Sequence, residues 1–286
     1  MKQPGLILVT GATGRVGGDV VRQLVPSGAR VRAASRNPER CPAPAGVERT
    51  RLDLSRPETF GAALEGVESV FLYAVPDGAD RFLDAARAAG VRHVVLLSSH
   101  TLYEVAEIPE RAPIAEMHER VEEAVLASGL DWTFLRPANF ASNILMWGWA
   151  DSIRTEGVVR FPYPDSTSDA IHEADIAAAA VTVLTEPVHQ GQGYFISGPE
   201  PISQRRQAET ISAVIGRPVR IEELSPDQAR EQLRRLLPEW VIEPTMAWWA
   251  ATDGVDCVVT DVVEKLTGTP ARSFSQWAVD HAADFR

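Results

Sequence analysis

Leu6-Ile7-Leu8-Val9-Thr10-Gly11-Ala12-Thr13-Gly14-Arg15-Val16-Gly17 is the stretch that decides the fold. An apolar run of strand character ends at Thr10, three glycines crowd the turn, and a helical pattern opens at Val16. A turn of this kind needs glycine for tight backbone geometry and for close approach of a diphosphate to the amides that begin the helix. A glycine triplet alone is weak. Its position after a strand, at the start of a helix and at the head of a βαβ series gives it weight.

Working outward, strand-like runs recur at 30–35, 47–52, 69–74, 93–98 and 132–136, with helical stretches at 16–25, 57–64, 79–89 and 113–127. Several of these runs are almost wholly apolar, which suits strands buried on both faces. Strands alternating with helices predict right-handed crossovers and a doubly wound, mostly parallel Rossmann-type α/β sheet. Beyond Pro137 the alternation loosens. Helices are expected at 176–184, 204–215, 225–236, 239–251 and 273–283, with strands at 194–197 and 219–222. The expected division is a dinucleotide-binding domain over 1–150 and a small helix-rich C-terminal lobe over 151–286, integrated with the sheet.

Bulk properties narrow the function. The 286 residues carry a net charge of −11, which argues against a nucleic-acid partner. No stretch approaches the ~20 apolar residues that span a bilayer. Met1–Pro4 lead straight towards a strand with no signal-peptide pattern, so a cytoplasmic protein is expected. Cys41 and Cys257 have neither disulfide-framework nor zinc-site spacing. His172-Glu173-Ala174-Asp175 places His and Asp three apart at a helix start but offers no third ligand, so no metal is expected. The expected partner is a small-molecule substrate, and nothing in the sequence indicates a homo-oligomer.

The second strand chooses the dinucleotide. An NAD site places Asp or Glu at its end to bind the ribose 2′-hydroxyl. Here it ends Ala33-Ala34-Ser35-Arg36-Asn37. Ser35 and Arg36 suit a 2′-phosphate, Arg15 offers a second cation, and NADP(H) is the expected cofactor.

The GxxGxxG spacing, the run Ala127-Ser128-Gly129-Leu130-Asp131-Trp132-Thr133, Leu135-Arg136-Pro137-Ala138-Asn139-Phe140 and Phe274-Ser275-Gln276-Trp277-Ala278 together resemble the NmrA-like, quinone-reductase-like branch of the atypical short-chain dehydrogenase/reductases. The resemblance spans nearly the whole chain. It implies cofactor contacts from Gly11, Thr13, Gly14, Arg15, Val16 and Gly17 in the loop. Asp53 and Leu54 would border the adenine, although Asp53 has a rival role capping the segment at Pro57. Ala74, Val75, Ser98, Ser99, Pro137, Asn139 and Phe140 would follow the cofactor towards the nicotinamide.

Most reductases of that superfamily use a Tyr and a Lys four residues apart. The chain's tyrosines, Tyr73, Tyr103, Tyr163 and Tyr194, are followed four positions on by Asp77, Glu107, Thr167 and Gly198, so no Tyr-x-x-x-Lys exists. The resemblance places His118 in the Lys slot and Ile114 in the Tyr slot. His118, with an unperturbed pKa near 6.5, is expected to bind the nicotinamide ribose or deliver a proton. Tyr103 is a second candidate acid. Phe140, Met146, Trp147 and Trp149 are expected to wall the substrate pocket, and Trp240, Met246, Trp248 and Trp249 to form a lid; for both groups, ordinary core packing is the rival reading.

Reduction of an isolated ketone makes an alkoxide and needs a committed proton donor, whereas a quinone or conjugated enone yields a stabilised anion. The expected activity is therefore NADPH-dependent hydride transfer to a small conjugated or aromatic carbonyl, quinone-like or polyketide-like. The alternatives are a non-catalytic NADP(H) sensor and a non-redox tailoring enzyme on the same fold.

Overall fold

The computed structural model describes residues 5–102 and 113–286. Eleven strands occur among them: β1 Leu6–Val9, β2 Arg30–Ser35, β3 Glu48–Arg51, β4 Val67–Tyr73, β5 His93–Leu97, β6 Asp131–Pro137, β7 Val158–Phe161, β8 Thr167–Ser168, β9 Gln192–Ile196, β10 Ile202–Ser203 and β11 Arg220–Glu223. Seven form one sheet in the order β3-β2-β1-β4-β5-β6-β9, all pairs parallel. The order reverses beside β1. That reversal opens a crevice at the carboxyl ends of β1 and β4, where open α/β sheets bind their ligands.

The period-2 alternation of the strands explains why both faces are covered. Val9, Phe71, Val95 and Leu135 face one core, packed under the helices Arg15–Leu24 and Glu173–Thr185. Leu8, Leu72, Leu96 and Phe134 face the other, under Phe60–Leu64, Ala79–Ala88 and Pro113–Ala127. The seventh strand, β9, and the helix Glu173–Thr185 lie beyond residue 150, so the chain returns to the sheet after entering the lobe.

The lobe has its own core around Trp149, Phe161, Phe274, Trp277 and Phe285. It contains elements that the sequence pattern did not indicate: β7, which pairs in parallel with β11, and the helices Trp149–Glu156 and Val262–Thr267. A further small cluster centres on Leu233, Ile242, Met246 and Trp249.

The lobe is fastened to the sheet by the segment that raised the metal question. His172 caps the helix Glu173–Thr185 by accepting the Ala174 N–H, and its Nε2 lies 3.3 Å from Asp280. Glu173 accepts the Trp277 indole N–H at 2.9 Å, and Asp175 accepts both the backbone and the guanidinium of Arg272. These polar ties join the start of the helix Glu173–Thr185 to Arg272 and the helix Phe274–Asp280. Among the described residues no group of His, Cys, Asp and Glu is arranged to hold a metal, and no helix is long and apolar enough to cross a membrane. Cys41 and Cys257 are both buried and unpaired.

Candidate functional site

The glycine turn gives its three glycines separate tasks. Gly11 sits at φ +61, a conformation that L side chains rarely adopt. A Cβ on Gly17 would stand 2.8 Å from the carbonyl carbon of Gly11, closer still to its oxygen, and 3.0 Å from the Thr10 oxygen. Gly17 is thus required for helix to pack on strand. Gly14 is different: its Cβ would meet only the Gly11 oxygen, at 3.2 Å, and the residue is exposed. The protein's own packing accounts only in part for glycine there, and the remaining reason lies on the solvent side, where a ligand would approach.

The helix that follows has no side-chain cap at Gly14 and no acidic residue in its first turn. Its first amides and the positive end of its dipole are left for an anion. Thr13 and Arg15 are exposed beside it, while Val16 is buried and anchors the turn.

At the end of β2, Ser35 is buried, yet its Oγ has no hydrogen-bond partner among the described residues. A buried hydroxyl left unpaired is costly, and it is retained where something else completes it. Arg36, next along, is exposed. Its charge acts on Asp53, whose side chain accepts the backbone N–H and the hydroxyl of Ser55 at 3.1 and 2.7 Å. Those two bonds hold the Asp53 carboxyl below its usual range, with Arg36 adding to the effect. Asp53 therefore forms a local turn and does not cap the segment at Pro57, whose N-cap is Arg56. Leu54, half-buried, abuts Gly78 through its carbonyl. The Ser35 hydroxyl and the neighbouring Arg36 guanidinium suit a 2′-phosphate.

The other end of the site forms where β5 and β6 finish. Ala74 and Val75 leave β4 at the same edge. Ser98 is buried and donates to Glu122 Oε1 at 2.6 Å; Arg136 donates to the same carboxylate through Nε and Nη2 at 2.8 and 2.6 Å. This buried pair ties the helix Pro113–Ala127 to β6. Ser99 accepts from the backbone and hydroxyl of Thr101. Beyond β6, the Asn139 backbone and side-chain N–H groups both donate to Asp169 Oδ1 at 3.2 Å, and its carbonyl accepts the Ile171 N–H. Phe140 bridges to Ile171. The segment 137–140 is held on both sides.

His118 lies one turn before Glu122. Its Nδ1 is shut off from solvent and has no partner among the described residues. Burial pushes its pKa down to about 4; the Glu122 charge works in the opposite direction, and His100 adds a smaller downward push. The expectation that His118 would titrate near 6.5 is corrected: at neutral pH the ring is uncharged and can exchange hydrogen bonds but holds no proton in reserve. Tyr103, the other candidate acid, lies outside the described residues.

A model of an NAD(P)H-binding family matches residues 11–187 of this chain. The chain belongs to the NAD(P)H-binding family. Within it the chain falls in the NmrA-like group of atypical short-chain dehydrogenase/reductases. It is 41% identical over 286 residues to the (4-alkanoyl-5-oxo-2,5-dihydrofuran-3-yl)methyl phosphate reductase of Streptomyces griseus, covering 98% of this chain and 99% of that protein. It is 35% identical to the NAD(P)H azoreductase of Xenophilus azovorans, covering 98% and 99%. The structure of the Citrobacter sp. triphenylmethane reductase complexed with NADP(H) superposes with a TM-score of 0.80 at 27% identity, covering 96% of this chain and 99% of that one.

In this NAD(P)H-binding protein the expected substrate wall divides. Trp149 is 2% exposed and stacks on Phe161 at 5.0 Å, so it belongs to the lobe core. Met146 is 50% exposed and Phe140 half-buried. Trp147, half-buried, meets Trp249 edge-on at 4.9 Å. The lid expectation divides likewise: Trp240 faces solvent, Met246 and Trp249 are buried, and Trp248 stands edge-on to His100 at 5.5 Å. Trp147, Trp248 and Trp249 line a cleft with Asn139, Ser166, Thr167, Ser168, Gln204 and Gln207. Gln204 donates to the Pro162 and Tyr163 carbonyls, while its buried Oε1 has no partner among the described residues. Glu122, Asp169, Gln204 and His100 were not singled out in the sequence. Their partners are distant along the chain, and local pattern carries no signal of them.

Proposed function

We propose that the chain is an NADPH-dependent reductase of small conjugated acceptors. The supporting observation is the Lys slot. It holds His118, a half-buried neutral imidazole whose Nδ1 is shut off from solvent, at the sheet edge where the nicotinamide of this family would lie. A neutral imidazole can hold a ribose hydroxyl but cannot depress the pKa of a neighbouring phenol as a lysine ammonium does. No Tyr-x-x-x-Lys pair exists to drive alkoxide formation. The site suits acceptors whose reduction leaves a delocalised anion.

The names of the relatives point the same way. An oxo-dihydrofuran bearing an alkanoyl group has its ring C=C conjugated with two carbonyls, and an azo group is likewise a π acceptor. Ser35 and Arg36 support NADPH over NADH, with the uncapped helix start receiving the diphosphate. When bound, the reduced nicotinamide supplies a hydride. The chain's part is to orient it, to exclude water beneath the Trp248 helix and to stabilise the resulting charge.

The test is steady-state oxidation of NADPH by a quinone, an unsaturated lactone, an azo compound and an aliphatic ketone. Turnover with the conjugated acceptors and at least ~100-fold slower ketone reduction is expected. Efficient ketone reduction would reveal a committed acid and overturn the reading. Tight NADPH binding without oxidation by any acceptor would make the protein a sensor.

A further inference from the structure

The helix Gln204–Ile215 starts against the loop 162–166 and is capped by Ser203, whose side chain accepts the Arg206 N–H. The Gln204 backbone N–H donates to the Ser166 carbonyl at 3.0 Å. The residue is 2% exposed, and its Nε2 donates to the Pro162 and Tyr163 carbonyls at 3.1 and 3.2 Å. Both partners can only accept, so the amide cannot be turned over. Oε1 is therefore a fixed acceptor, buried and without a partner among the described residues. Tyr163 stands at φ +53, the one non-glycine residue with positive φ among those described. Such strain persists where surrounding structure holds it, and here the Tyr163 carbonyl is engaged by Gln204 and by the Ser166 N–H.

Gln204 lines the narrow cleft that begins at Asn139, just past the carboxyl end of β6, where open α/β sheets bind ligands. The indoles of Trp147, Trp248 and Trp249 wall it. Two of its hydroxyls are already committed. Thr252 donates its single proton to the Trp248 carbonyl, so Ser166 must donate to Thr252, and Thr167 donates to the Val255 carbonyl. Among the described residues, no side chain lining the cleft is charged. A buried amide oxygen left open in such a slot calls for a donor. An ammonium would lose its water there with no lining carboxylate to replace it, whereas an uncharged hydroxyl fits.

Building on the reductase reading above, we infer that Gln204 selects the substrate, its Oε1 accepting a hydrogen bond from a hydroxyl-bearing arm of the conjugated acceptor. The arm enters the cleft between the indoles, and the planar ring stays at its mouth beside the end of β6. An acceptor with an alkyl arm of the same size leaves Oε1 buried and unpaired, and the site rejects it.

The test compares 2-hydroxymethyl-1,4-naphthoquinone with 2-ethyl-1,4-naphthoquinone, in which a methyl group replaces the hydroxyl. Calorimetric titration of each into protein saturated with NADP⁺, which has no hydride to give, reads binding apart from turnover. The wild type should bind the hydroxymethyl compound about tenfold more tightly, as expected for one desolvated hydrogen bond. In Gln204→Met, apolar and of similar length, that ratio should fall to near one. Equal wild-type affinity for the two compounds would mean that a resident water alone completes Oε1, and overturns the inference. A preference that survives in Gln204→Met places the hydroxyl elsewhere and overturns it as well. If Gln204→Met does not melt cooperatively, a crystal structure of the wild-type complex decides instead, and a hydroxyl beyond hydrogen-bond reach of Oε1 overturns the assignment. Steady-state oxidation of NADPH by the same pair separates the two readings. Selective binding with no oxidation of NADPH removes the reductase reading and leaves Gln204 as a binding determinant, whereas turnover of both quinones without preference in binding removes this inference alone.

Discussion

The two ends of the site are made at the same edge of one sheet, yet they are held together by different means. At the phosphate end the decisive groups are backbone: a positive φ at Gly11, a helix packed too close for any side chain at Gly17, and amides left uncapped after Gly14. At the reaction end they are side chains from distant elements, among them Glu122 with Arg136 and Ser98, Asp169 with Asn139, and His100 with Pro137, Phe195 and Trp248. Backbone requirements are written locally, in glycines a few residues apart. Side-chain partnerships are written across the chain.

The sharpest way to break this comparison is at the glycines. Gly17→Ala should destabilise the protein with no ligand present and abolish NADPH binding, because the clash is with backbone atoms that cannot move aside. Gly14→Ala should leave the apo melting temperature nearly unchanged while weakening NADPH binding. Calorimetric titration and thermal melts of both variants separate the two effects. Equal loss of apo stability in both would show that Gly14 serves packing alone.

Arg36→Asp comes next. Loss of a charge-assisted contact, with repulsion added, should weaken NADPH binding by about 1–3 kcal/mol, roughly 5- to 150-fold, while NADH affinity changes little. Equal wild-type affinity for the two nucleotides would remove the 2′-phosphate assignment from Ser35 and Arg36.

The legibility of the sequence follows the same division. β1, β4, β5 and β6 were readable because strands covered on both faces carry apolar runs on successive residues, and Ser35-Arg36 were readable because they sit a fixed distance past the loop. β7 was hidden because the aromatic stretch before it reads as a pocket wall, whereas Trp149 opens a helix and packs on Phe161. His100 was hidden because its partner is a carbonyl 37 residues away. His118 was found by its slot, but its pKa depends on burial that only packing creates.

A smaller effect tests that last point. His118→Ala should cost roughly 10- to 100-fold in kcat/KM for a quinone, below the usual range for an acid–base group. His118→Gln, which keeps hydrogen-bonding capacity without ionisation, should retain most of the activity at pH 7. Equal damage in the two variants would mean that the ring must ionise, contradicting its burial.

The smallest effect adds a second neutral histidine, His93, at the far end of β5 from the reaction edge. Its Nε2 lies 2.9 Å from Thr133 Oγ1. Thr133 has one proton, which it donates to the His189 carbonyl, so His93 must be the donor and is neutral with hydrogen on Nε2. Burial pushes its pKa down to about 4, opposed by Asp131, with His189 adding a further push downward. In the unfolded chain a histidine titrates near 6.5. Between those values the unfolded state binds the extra proton, so stability is complete above about pH 6.5 and is lost as pH falls towards 4. At pH 5 the loss from His93 is of order 1–2 kcal/mol, a few degrees of melting temperature. His93→Gln can donate to Thr133 without titrating, so its melting temperature should fall less between pH 6.5 and 5 than that of the wild type. His118 has the same depressed pKa and contributes to the same window, so adding His118→Gln should flatten the limb further. An acid limb that keeps its full slope in the double variant would mean that neither ring is held neutral by burial. The uncharged state assigned to His118 would then fail.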